Sequence, residues 1–439
     1  MRIERTLREL YHSDPERADA SVFGRRVGPS RRGFLSGLGQ VAMGAAVGGP
    51  IVFAATMPAG LIPAALAQEG KRKGRLQLPG KDPNLILLSE RPLVVETPEA
   101  LLDEDTTPTS RFFIRNNGDP PEMTRAPDAW KITIDGEVNK PLELTLGELK
   151  AKARAVTRRL LLECAGNGRS FFVPRTEGEA WANGGAGCAE WTGARVADVI
   201  RAAGLKPSAS FSAHYGADAD LSGDPTKIVL SRGVPIRKLM DENNLIAWEM
   251  NGKPLEPMHG FPVRLIIPGW PGSLSAKWLT RIWLRDKVHD GVGMGGTSYR
   301  VPIKPMLPGS AANEKNFADL ESMPVRAIIT SPTDGTRFGA NTREIKLRGA
   351  AWAGDFAVRS VDVSSDFGAS WQRTTLSPPK NRYDWQRWTA ALKLPSDGYF
   401  EIWSRATDQR GIMQPHVAGN WNPEGYGANP MHRIAILVG

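Results

Sequence analysis

Hydrophobic and polar positions alternate in short blocks along most of this chain, and the pattern changes near residue 325. Between residues 106 and 312, apolar runs of strand length are mixed with a few stretches of helical period. Helices are predicted at 146–153, 196–203 and 236–241, and strands at 130–134, 158–163, 244–250 and 263–267. This mixture predicts an α+β domain.

After about residue 325 the pattern becomes all-β, with turn residues between short strands. The predicted strands are 326–330, 344–351, 359–364, 387–392, 398–407 and 432–438. About seven such strands in a stretch of this length predict an immunoglobulin-like sandwich for residues 325–439. The chain is too long to fold around one hydrophobic core, so two domains are expected. The predicted boundary between them is the segment Met306-Leu307-Pro308-Gly309-Ser310.

The first residues have the pattern of an export signal. Ser30-Arg31-Arg32-Gly33-Phe34-Leu35 matches a twin-arginine motif, and residues 33–68 carry no charged side chain. Ala65-Leu66-Ala67 is a small-x-small cleavage site, so residues 1–67 are predicted to be a signal peptide and the protein periplasmic. The alternative is a retained membrane anchor, which the seven glycines and three prolines of the run disfavour. Residues 68–105, polar and punctuated by proline, are predicted to form an arm over the surface.

Charge and motifs narrow the function classes. Of the formal net charge of +9, residues 1–67 carry +3, so +6 remains for the rest of the chain. A mildly basic protein favours an anionic substrate or an acidic partner. The basic residues are dispersed without a nucleic-acid reader motif, and no other segment is apolar enough to span a membrane. The chain has no CxxCH, GxGxxG or Walker motif, so haem attachment, NAD and ATP are not indicated.

Candidate chemistry centres on Leu160-Leu161-Leu162-Glu163-Cys164-Ala165-Gly166-Asn167-Gly168-Arg169. An apolar strand delivers the Cys164 thiol to a glycine-rich turn that a bulky group can approach closely. A thiolate is a soft metal ligand, and Arg169 offers donors for an oxyanion. Two alternatives are an inert buried cysteine and a disulfide with Cys188, the only other cysteine. Cys188 follows Asn183-Gly184-Gly185-Ala186-Gly187, which is typical of a flexible surface segment, so a free Cys164 is favoured.

Several further blocks follow in a fixed order. They are Phe112-Phe113-Ile114-Arg115-Asn116-Asn117, Trp191-Thr192-Gly193-Ala194-Arg195, Trp248 to Leu255, His259-Gly260-Phe261-Pro262-Val263-Arg264, Pro268-Gly269, Lys277-Trp278 and Ser298-Tyr299-Arg300. Together with the cysteine segment, their order and spacing resemble the sulfite oxidase family of molybdopterin enzymes over nearly all of the chain after the leader. The resemblance implies a molybdopterin-binding catalytic domain at 106–312 and an immunoglobulin-like dimerisation domain at 325–439.

The resemblance also implies roles for single residues. Cys164 would ligate molybdenum, Arg115 would hold the anion at the mouth of the site, and Tyr299 would assist proton transfer. Arg169 and Trp181 would line the substrate pocket. The residues that would contact the cofactor are Phe113, Arg115, Asn117, Cys164, Asp218, His259, Arg264, Ser275, Ala276 and Lys277.

The implied activity is oxygen-atom transfer to sulfur, with electrons passed to a c-type cytochrome, typically a dihaem subunit. Family members that act on free sulfite carry an arginine in a segment where this chain reads Trp421-Asn422-Pro423-Glu424-Gly425. Glu424 is therefore expected near the opening on the side of Arg115, or alternatively in solvent. Residues 214–220 and 296–302 resemble the SoxC-type sulfane dehydrogenases, which oxidise carrier-bound sulfane sulfur. Oxidation of free sulfite is the alternative, and an inactive scaffold subunit is the alternative of another class.

Overall fold

The computed structural model describes residues 77–439, which belong to one compact unit. The predicted signal peptide and the first residues of the predicted arm lie outside the described residues. Within residues 77–439, no helix combines the length and the apolar character that a membrane crossing requires.

The first part of the described chain contains three α-helices and fifteen strands. The helices are Leu146–Lys152 (α1), Val196–Ala203 (α2) and Ile236–Leu239 (α3). The strands are Ile86–Ser89 (β1), Val94–Glu96 (β2), Ile114–Arg115 (β3), Lys131–Gly136 (β4), Leu142–Thr145 (β5), Ala155–Glu163 (β6), Ala186–Arg195 (β7), Phe211–Gly216 (β8), Ser231–Arg232 (β9), Leu245–Met250 (β10), Lys253–Pro254 (β11), Arg264–Ile266 (β12), Leu279–Arg285 (β13), Arg300–Pro302 (β14) and Phe317–Asp319 (β15).

Two five-stranded sheets form the body of this part. One has the order β11-β10-β7-β6, with β12 paired to β10, and the other has the order β5-β4-β13-β8-β9. A shared apolar core contains Ile282 of β13, Ile246 of β10 and Ile200 of α2. The helix α1 begins with a capping box, in which Thr145 and Glu148 bond each other's backbone N–H groups. Both sheets and the helices therefore share one core, as the mixed sequence pattern predicted.

The glycine-rich segment before Cys188 is part of the core, which contradicts its interpretation as a flexible surface segment. Cys188 is fully buried on β7, where it pairs with Leu161 of β6. The glycines are required by close contacts rather than by mobility. A Cβ at Gly187 would lie 2.6 Å from the Phe112 ring, and a Cβ at Gly184 would collide with the Thr97 carbonyl.

The described part of the predicted arm is also built into the protein. The strands β1, β2 and β3 form a three-stranded sheet, and Val94 and Val95 are fully buried in it. Leu102 is fully buried, and the next residue, Asp103, bonds Thr330 and Arg387 of the C-terminal part. The prediction of a surface arm was wrong for these residues, because a few valines and leucines outweigh the polar composition around them.

The C-terminal part consists of nine strands in two facing sheets. The strands are Arg326–Ser331 (β16), Thr336–Phe338 (β17), Glu344–Trp352 (β18), Val358–Ser364 (β19), Gln372–Arg373 (β20), Thr375–Leu376 (β21), Gln386–Lys393 (β22), Gly398–Asp408 (β23) and His432–Val438 (β24). The sheet orders are β16-β18-β22-β21 and β17-β24-β23-β19-β20. Leu347, Trp388 and Ile402 contribute to the core shared by the two sheets.

Buried charges join the two parts. Arg159 of β6 forms a two-pronged ion pair with Asp384, with both N–O distances at 2.7 Å. Glu163, at the end of the same strand, pairs with Arg326 of β16 at 3.0 Å, and both side chains are about 1% exposed. One strand of the first part is therefore held at two points by the second part.

Candidate active site

A cavity of about 880 Å³, including its opening to solvent, lies at the ends of β6, β8 and β12. Eleven of the thirteen side chains proposed from the sequence line it. They are Phe113, Arg115, Asn117, Cys164, Asp218, His259, Arg264, Ser275, Ala276, Lys277 and Tyr299.

Cys164 follows β6 directly, at the point where the strand becomes a tight turn. Its backbone N–H donates to the Gly185 carbonyl at 2.8 Å, and its carbonyl accepts from the Asn167 N–H at 2.9 Å. Gly168 takes a positive φ of 88°, which a residue with a side chain adopts only with strain. The thiol is free and partly exposed at the cavity wall.

The residue before the thiol is fixed by the C-terminal part of the chain. The Glu163 carboxylate accepts from Arg326 Nε at 3.0 Å, from Trp352 Nε1 at 2.7 Å and from Asn167 Nδ2 at 2.9 Å. Because three side-chain donors hold this carboxylate, the end of β6 has little freedom to move.

One end of the cavity concentrates positive charge. Lys277 Nζ donates to Asn116 Oδ1 at 2.5 Å and to the Met258 carbonyl at 2.7 Å. Burial, reinforced by the charge of Arg264, lowers the pKa of Lys277 well below its ordinary value. Burial also lowers the pKa of Arg264 to about 9, so its guanidinium stays charged at neutral pH. The Asp218 carboxylate opposes these cations, although burial raises its pKa.

His259 is neutral within this group of cations. The Lys81 ammonium donates to His259 Nε2 at 2.7 Å, which places the ring proton on Nδ1. Burial lowers the pKa of His259 well below its ordinary value, and the charges of Lys81 and Lys277 lower it further. Lys81 belongs to the segment expected to be a surface arm, so its contact with the site was not foreseen.

The other end of the cavity contains Tyr299, which takes a positive φ of 53°. The Arg232 guanidinium carbon lies 4.1 Å from its ring centroid. The Tyr426 ring also stacks on Tyr299, at 5.0 Å between centroids with an interplanar angle of 10°. A positive φ in a tyrosine held between two neighbours is a strained conformation of the kind found at functional sites.

Arg169 and Trp181 do not line the cavity, in contrast to the prediction. Arg169 Nε donates to the Glu424 carbonyl at 2.9 Å, and its Nη1 donates to the Glu179 carbonyl at 3.0 Å. A Cβ at Gly425 would lie 2.5 Å from Arg169 Cγ, so this glycine makes room for the side chain outside the cavity. Trp181 is fully buried and packs edge-on against Phe113.

Glu424 does not line the cavity either, and its carboxylate is not free. Its Oε1 accepts from the Thr297 hydroxyl at 2.8 Å. Thr297 lies two residues before Tyr299, so Glu424 holds the loop that carries the tyrosine. Its contact with the site is therefore indirect.

Sequence reasoning missed several cavity residues. Asn116 and Trp278 adjoin proposed residues and lay within the quoted motifs. His214 and Arg232 line the cavity from β8 and β9. His214 began a quoted segment without being assigned a role, whereas no pattern around Arg232 distinguished it from a surface arginine.

The donor set fits a large anionic cofactor. Nε of Arg232 and Nε of Arg264 are buried and lack hydrogen-bond partners, although both side chains line the cavity. Buried guanidinium groups without counter-ions are costly, and a ligand with anionic oxygens would satisfy them. Residues 77–439 contain no cluster of three or more His, Cys, Asp or Glu suited to a metal ion.

Comparisons with known proteins agree with this donor set. Residues 117–292 match the oxidoreductase molybdopterin binding domain, and residues 318–439 match the Mo-co oxidoreductase dimerisation domain. Sulfite oxidase of Gallus gallus is 30% identical over 367 residues, which cover 81% of this chain and 78% of that protein. Mitochondrial sulfite oxidase of Rattus norvegicus is 33% identical over 383 residues, which cover 82% of this chain and 67% of that protein.

The mitochondrial sulfite oxidase of Drosophila melanogaster is 33% identical over 369 residues. The match covers 80% of this chain but 62% of the Drosophila protein, so the chain spans less than two thirds of that relative's length. Among solved structures, the sulfane dehydrogenase SoxCD from Paracoccus pantotrophus matches with a TM-score of 0.66 and 25% identity, over 88% of this chain and 92% of that chain.

Proposed function

The chain belongs to the sulfite oxidase family of molybdopterin enzymes, and on this premise we propose that it oxidises a sulfur compound by oxygen-atom transfer. The observation that carries the proposal is the cavity itself. It brings together one accessible thiol, Cys164, two buried arginines with unsatisfied Nε groups, and Tyr299 in a strained conformation.

The residues divide the work between the two ends of the cavity. Cys164 would supply the protein's thiolate to molybdenum, and Lys277, Arg264 and His259 would hold the anionic part of the pterin. His259 is neutral and protonated on Nδ1, and its hydrogen bond with Lys81 would hold its ring in place. The bound cofactor supplies two-electron oxygen-transfer chemistry, while the protein provides orientation and positive potential.

Substrate binding is assigned to the end with Tyr299. Arg115 lines the cavity with one permanent charge and a planar fork that suits an anionic sulfur group. The Tyr299 hydroxyl would hold or transfer a proton beside that group. Its ring is fixed by Tyr426 from the C-terminal part, so the hydroxyl has a defined position.

Carrier-bound sulfane sulfur is the substrate class that we favour, as in a SoxC-type sulfane dehydrogenase. Two observations support it: the structural similarity to SoxCD, and the acid at position 424 where sulfite-oxidising members carry an arginine. Oxidation of free sulfite remains the second candidate, because the relatives at 30–33% identity are sulfite oxidases. A scaffold subunit would not need the buried cationic cavity.

The proposal extends to location and assembly. The twin-arginine pattern supports export to the periplasm. Because this chain has no CxxCH motif, a separate c-type cytochrome would accept the electrons there. The match of residues 318–439 to a dimerisation domain supports a homodimer. The sheet orders β16-β18-β22-β21 and β17-β24-β23-β19-β20 support an immunoglobulin-like sandwich at 325–439, beside a catalytic domain at 106–312.

The test is a substrate comparison with purified, molybdenum-loaded protein. Free sulfite and a sulfur-carrier protein bearing sulfane sulfur are each supplied with a c-type cytochrome, and cytochrome reduction is followed. Faster reduction with the carrier supports the SoxC-type proposal, and faster reduction with sulfite supports the second candidate. No reduction with either substrate, from protein with stoichiometric molybdenum, would reject both.

A further inference from the structure

Arg232 is a buried cation at the Tyr299 end of the cavity that the family motifs did not indicate. It lies on β9 and lines the cavity with only 4% of its surface exposed. Its Nη1 donates to the Ser273 hydroxyl at 2.9 Å, which is a neutral acceptor. Its Nε is buried and has no partner. A guanidinium buried in this way is costly unless an anion joins it.

Arg232 is distinct from the cations at the pterin end. The charges that act on Lys277 are those of Arg264, Asp218, Arg115 and Lys81. The groups that act on Arg232 are Tyr299, Asp319, Tyr426 and Arg300. Asp319 is already paired with Arg300 at 2.7 Å, so it does not serve as the counter-ion of Arg232. The free charge of Arg232 therefore belongs to the end where the substrate is expected.

Arg169, the residue first expected to hold a substrate oxyanion, is occupied elsewhere. Two of its nitrogens donate to backbone carbonyls, those of Glu424 and Glu179, and it does not reach the cavity wall. Arg169 is therefore not available to a substrate beside Tyr299, which leaves Arg232, together with Arg115, among the arginines that line the cavity.

Resting on the proposed function, we propose that Arg232 is a specificity-determining residue that receives the anionic end of the sulfur substrate beside Tyr299. Ser273 occupies only Nη1 of Arg232, so the Nε–H of the planar guanidinium remains available to donate to an anion. Its stacking on the Tyr299 ring also holds the tyrosine in place. Loss of Arg232 would therefore weaken anion binding more than it would slow the chemical step.

Sulfate is the probe for this role, because it is a tetrahedral sulfur oxyanion that the enzyme does not oxidise further. Its affinity for oxidised, molybdenum-loaded protein is measured by titration calorimetry. For Arg232→Gln we expect binding about tenfold weaker or more, as for loss of a hydrogen bond to a charged group. The KM for the sulfur substrate should rise by a similar factor, with a smaller change in kcat.

A matched variant serves as the control. Arg237→Gln removes the same charge from α3, where the side chain is 61% exposed and pairs with Glu321, and sulfate affinity should not change. Sulfate affinity equal to wild type in folded, molybdenum-loaded Arg232→Gln would overturn the proposal, as would an equal loss of affinity in Arg237→Gln.

If Arg232→Gln does not fold or does not retain molybdenum, Arg232→Lys tests the proposal instead. Lysine keeps the charge but cannot both bond Ser273 and stack on Tyr299 as a plane, so sulfate should bind several-fold more weakly. Unchanged affinity in Arg232→Lys would contradict the proposal. Wild-type protein that binds sulfate through Arg232 yet oxidises no sulfur compound would refute the proposed function alone. Turnover with an unchanged KM in Arg232→Gln would refute this inference alone.

Discussion

Cys164 directly follows β6 and Cys188 lies on the neighbouring strand β7, but the two thiols differ in burial. The Cys164 thiol reaches the cavity wall, whereas the Cys188 thiol is fully buried and donates to Asp384 Oδ1 at 3.4 Å. Burial, reinforced by the Asp384 charge, raises the pKa of Cys188 well above its ordinary value. A thiol that stays protonated is a poor metal ligand, so only Cys164 suits that role.

Replacing each cysteine by serine should separate the two. Cys164→Ser should fold with a wild-type circular dichroism spectrum but lose all turnover, because a neutral hydroxyl does not replace a thiolate at molybdenum. Cys188→Ser should stay active, since its hydroxyl still donates to Asp384. Equal activities of the two variants in the cytochrome reduction assay would contradict the assignment of Cys164.

His214 predicts a pH dependence of stability. Burial lowers the pKa of His214 to about 3, while the unfolded residue titrates near 6.5. Below pH 6.5 the unfolded chain therefore takes up a proton that the folded protein refuses. The free energy of unfolding should fall by up to about 1.4 kcal/mol per pH unit from this residue between those two pKa values.

His214→Asn tests this dependence, because the asparagine amide can still donate to the Leu274 carbonyl that Nδ1 contacts at 3.1 Å. The variant should lose less stability than wild type between pH 6.5 and 4.5 in denaturant titrations. The exposed His416→Asn is the matched control and should follow wild type. Identical slopes for all three proteins would show that His214 does not titrate on unfolding.

Single residues were predictable where a contiguous motif contains them. Cys164 and His259 were found in this way, because neighbours in the chain stay neighbours in the cavity. The direction of Arg169 was not predictable, since it depends on the Glu424 carbonyl 255 residues away. Arg232 reaches the cavity through the pairing of β8 and β9, which no local pattern reveals.

At the scale of elements, hydrophobic periodicity performed well where strands and helices are regular. The predicted helix at 196–203 is the observed α2, and the predicted strand at 432–438 is the observed β24. The strand β7 was not predicted at all, because glycine is rare in strands, yet here the close Phe112 ring excludes any side chain at Gly187. The strands β17, β20 and β21, of two or three residues each, are too short to show a period.

Glu424 should affect activity through its hydrogen bond to the loop before β14, and not through its charge. Thr297→Val removes the hydroxyl that donates to Glu424, which should loosen the loop carrying Tyr299. We expect kcat/KM to fall about threefold to tenfold, the cost of one hydrogen bond. Glu424→Gln retains an acceptor oxygen and should stay close to wild type in the same steady-state assay.

The same pair of variants tests the sequence-based hypothesis that Glu424 repels free sulfite. If the charge acted directly, Glu424→Gln would lower the KM for sulfite, and the gain would shrink as salt rises. An unchanged KM in Glu424→Gln together with a fall in Thr297→Val would favour the role through the loop.

At the scale of the whole molecule, buried ion pairs make the two parts one unit. Glu163 and Arg326 are both nearly inaccessible, and each has further hydrogen bonds that complete its shell. Removing one partner of such a pair leaves a buried, uncompensated charge. The stability of the cysteine turn is therefore coupled to the C-terminal sheets.

Arg326→Met should lower the free energy of unfolding by about 3–5 kcal/mol and reduce the molybdenum content, because Glu163 precedes Cys164 directly. Adding Glu163→Gln should recover part of the loss, since the buried charge is then removed. Thermal unfolding and metal analysis check both effects. If Arg326→Met alone were as stable as wild type, the Glu163–Arg326 ion pair would not link the two parts.

The overall charge predicts how the electron acceptor would associate. Residues 68–439 carry a formal net charge of +6, which favours a partner with an acidic docking face. The KM for such a cytochrome should rise as salt is added, while the KM for a neutral artificial acceptor should not. Salt-independent kinetics with the cytochrome would contradict electrostatic docking.

The Glu163–Arg326 pair also sets an order of maturation. The two residues are 163 positions apart in the chain, so a ribosome finishes the cysteine turn long before it makes the arginine that fixes it. Until β16 is made, Glu163 lacks the buried counter-charge that it has in the complete protein. We therefore expect the cysteine turn to be fixed late in synthesis, because a chain that ends after Tyr299 contains every residue lining the cavity but lacks the arginine that holds Glu163.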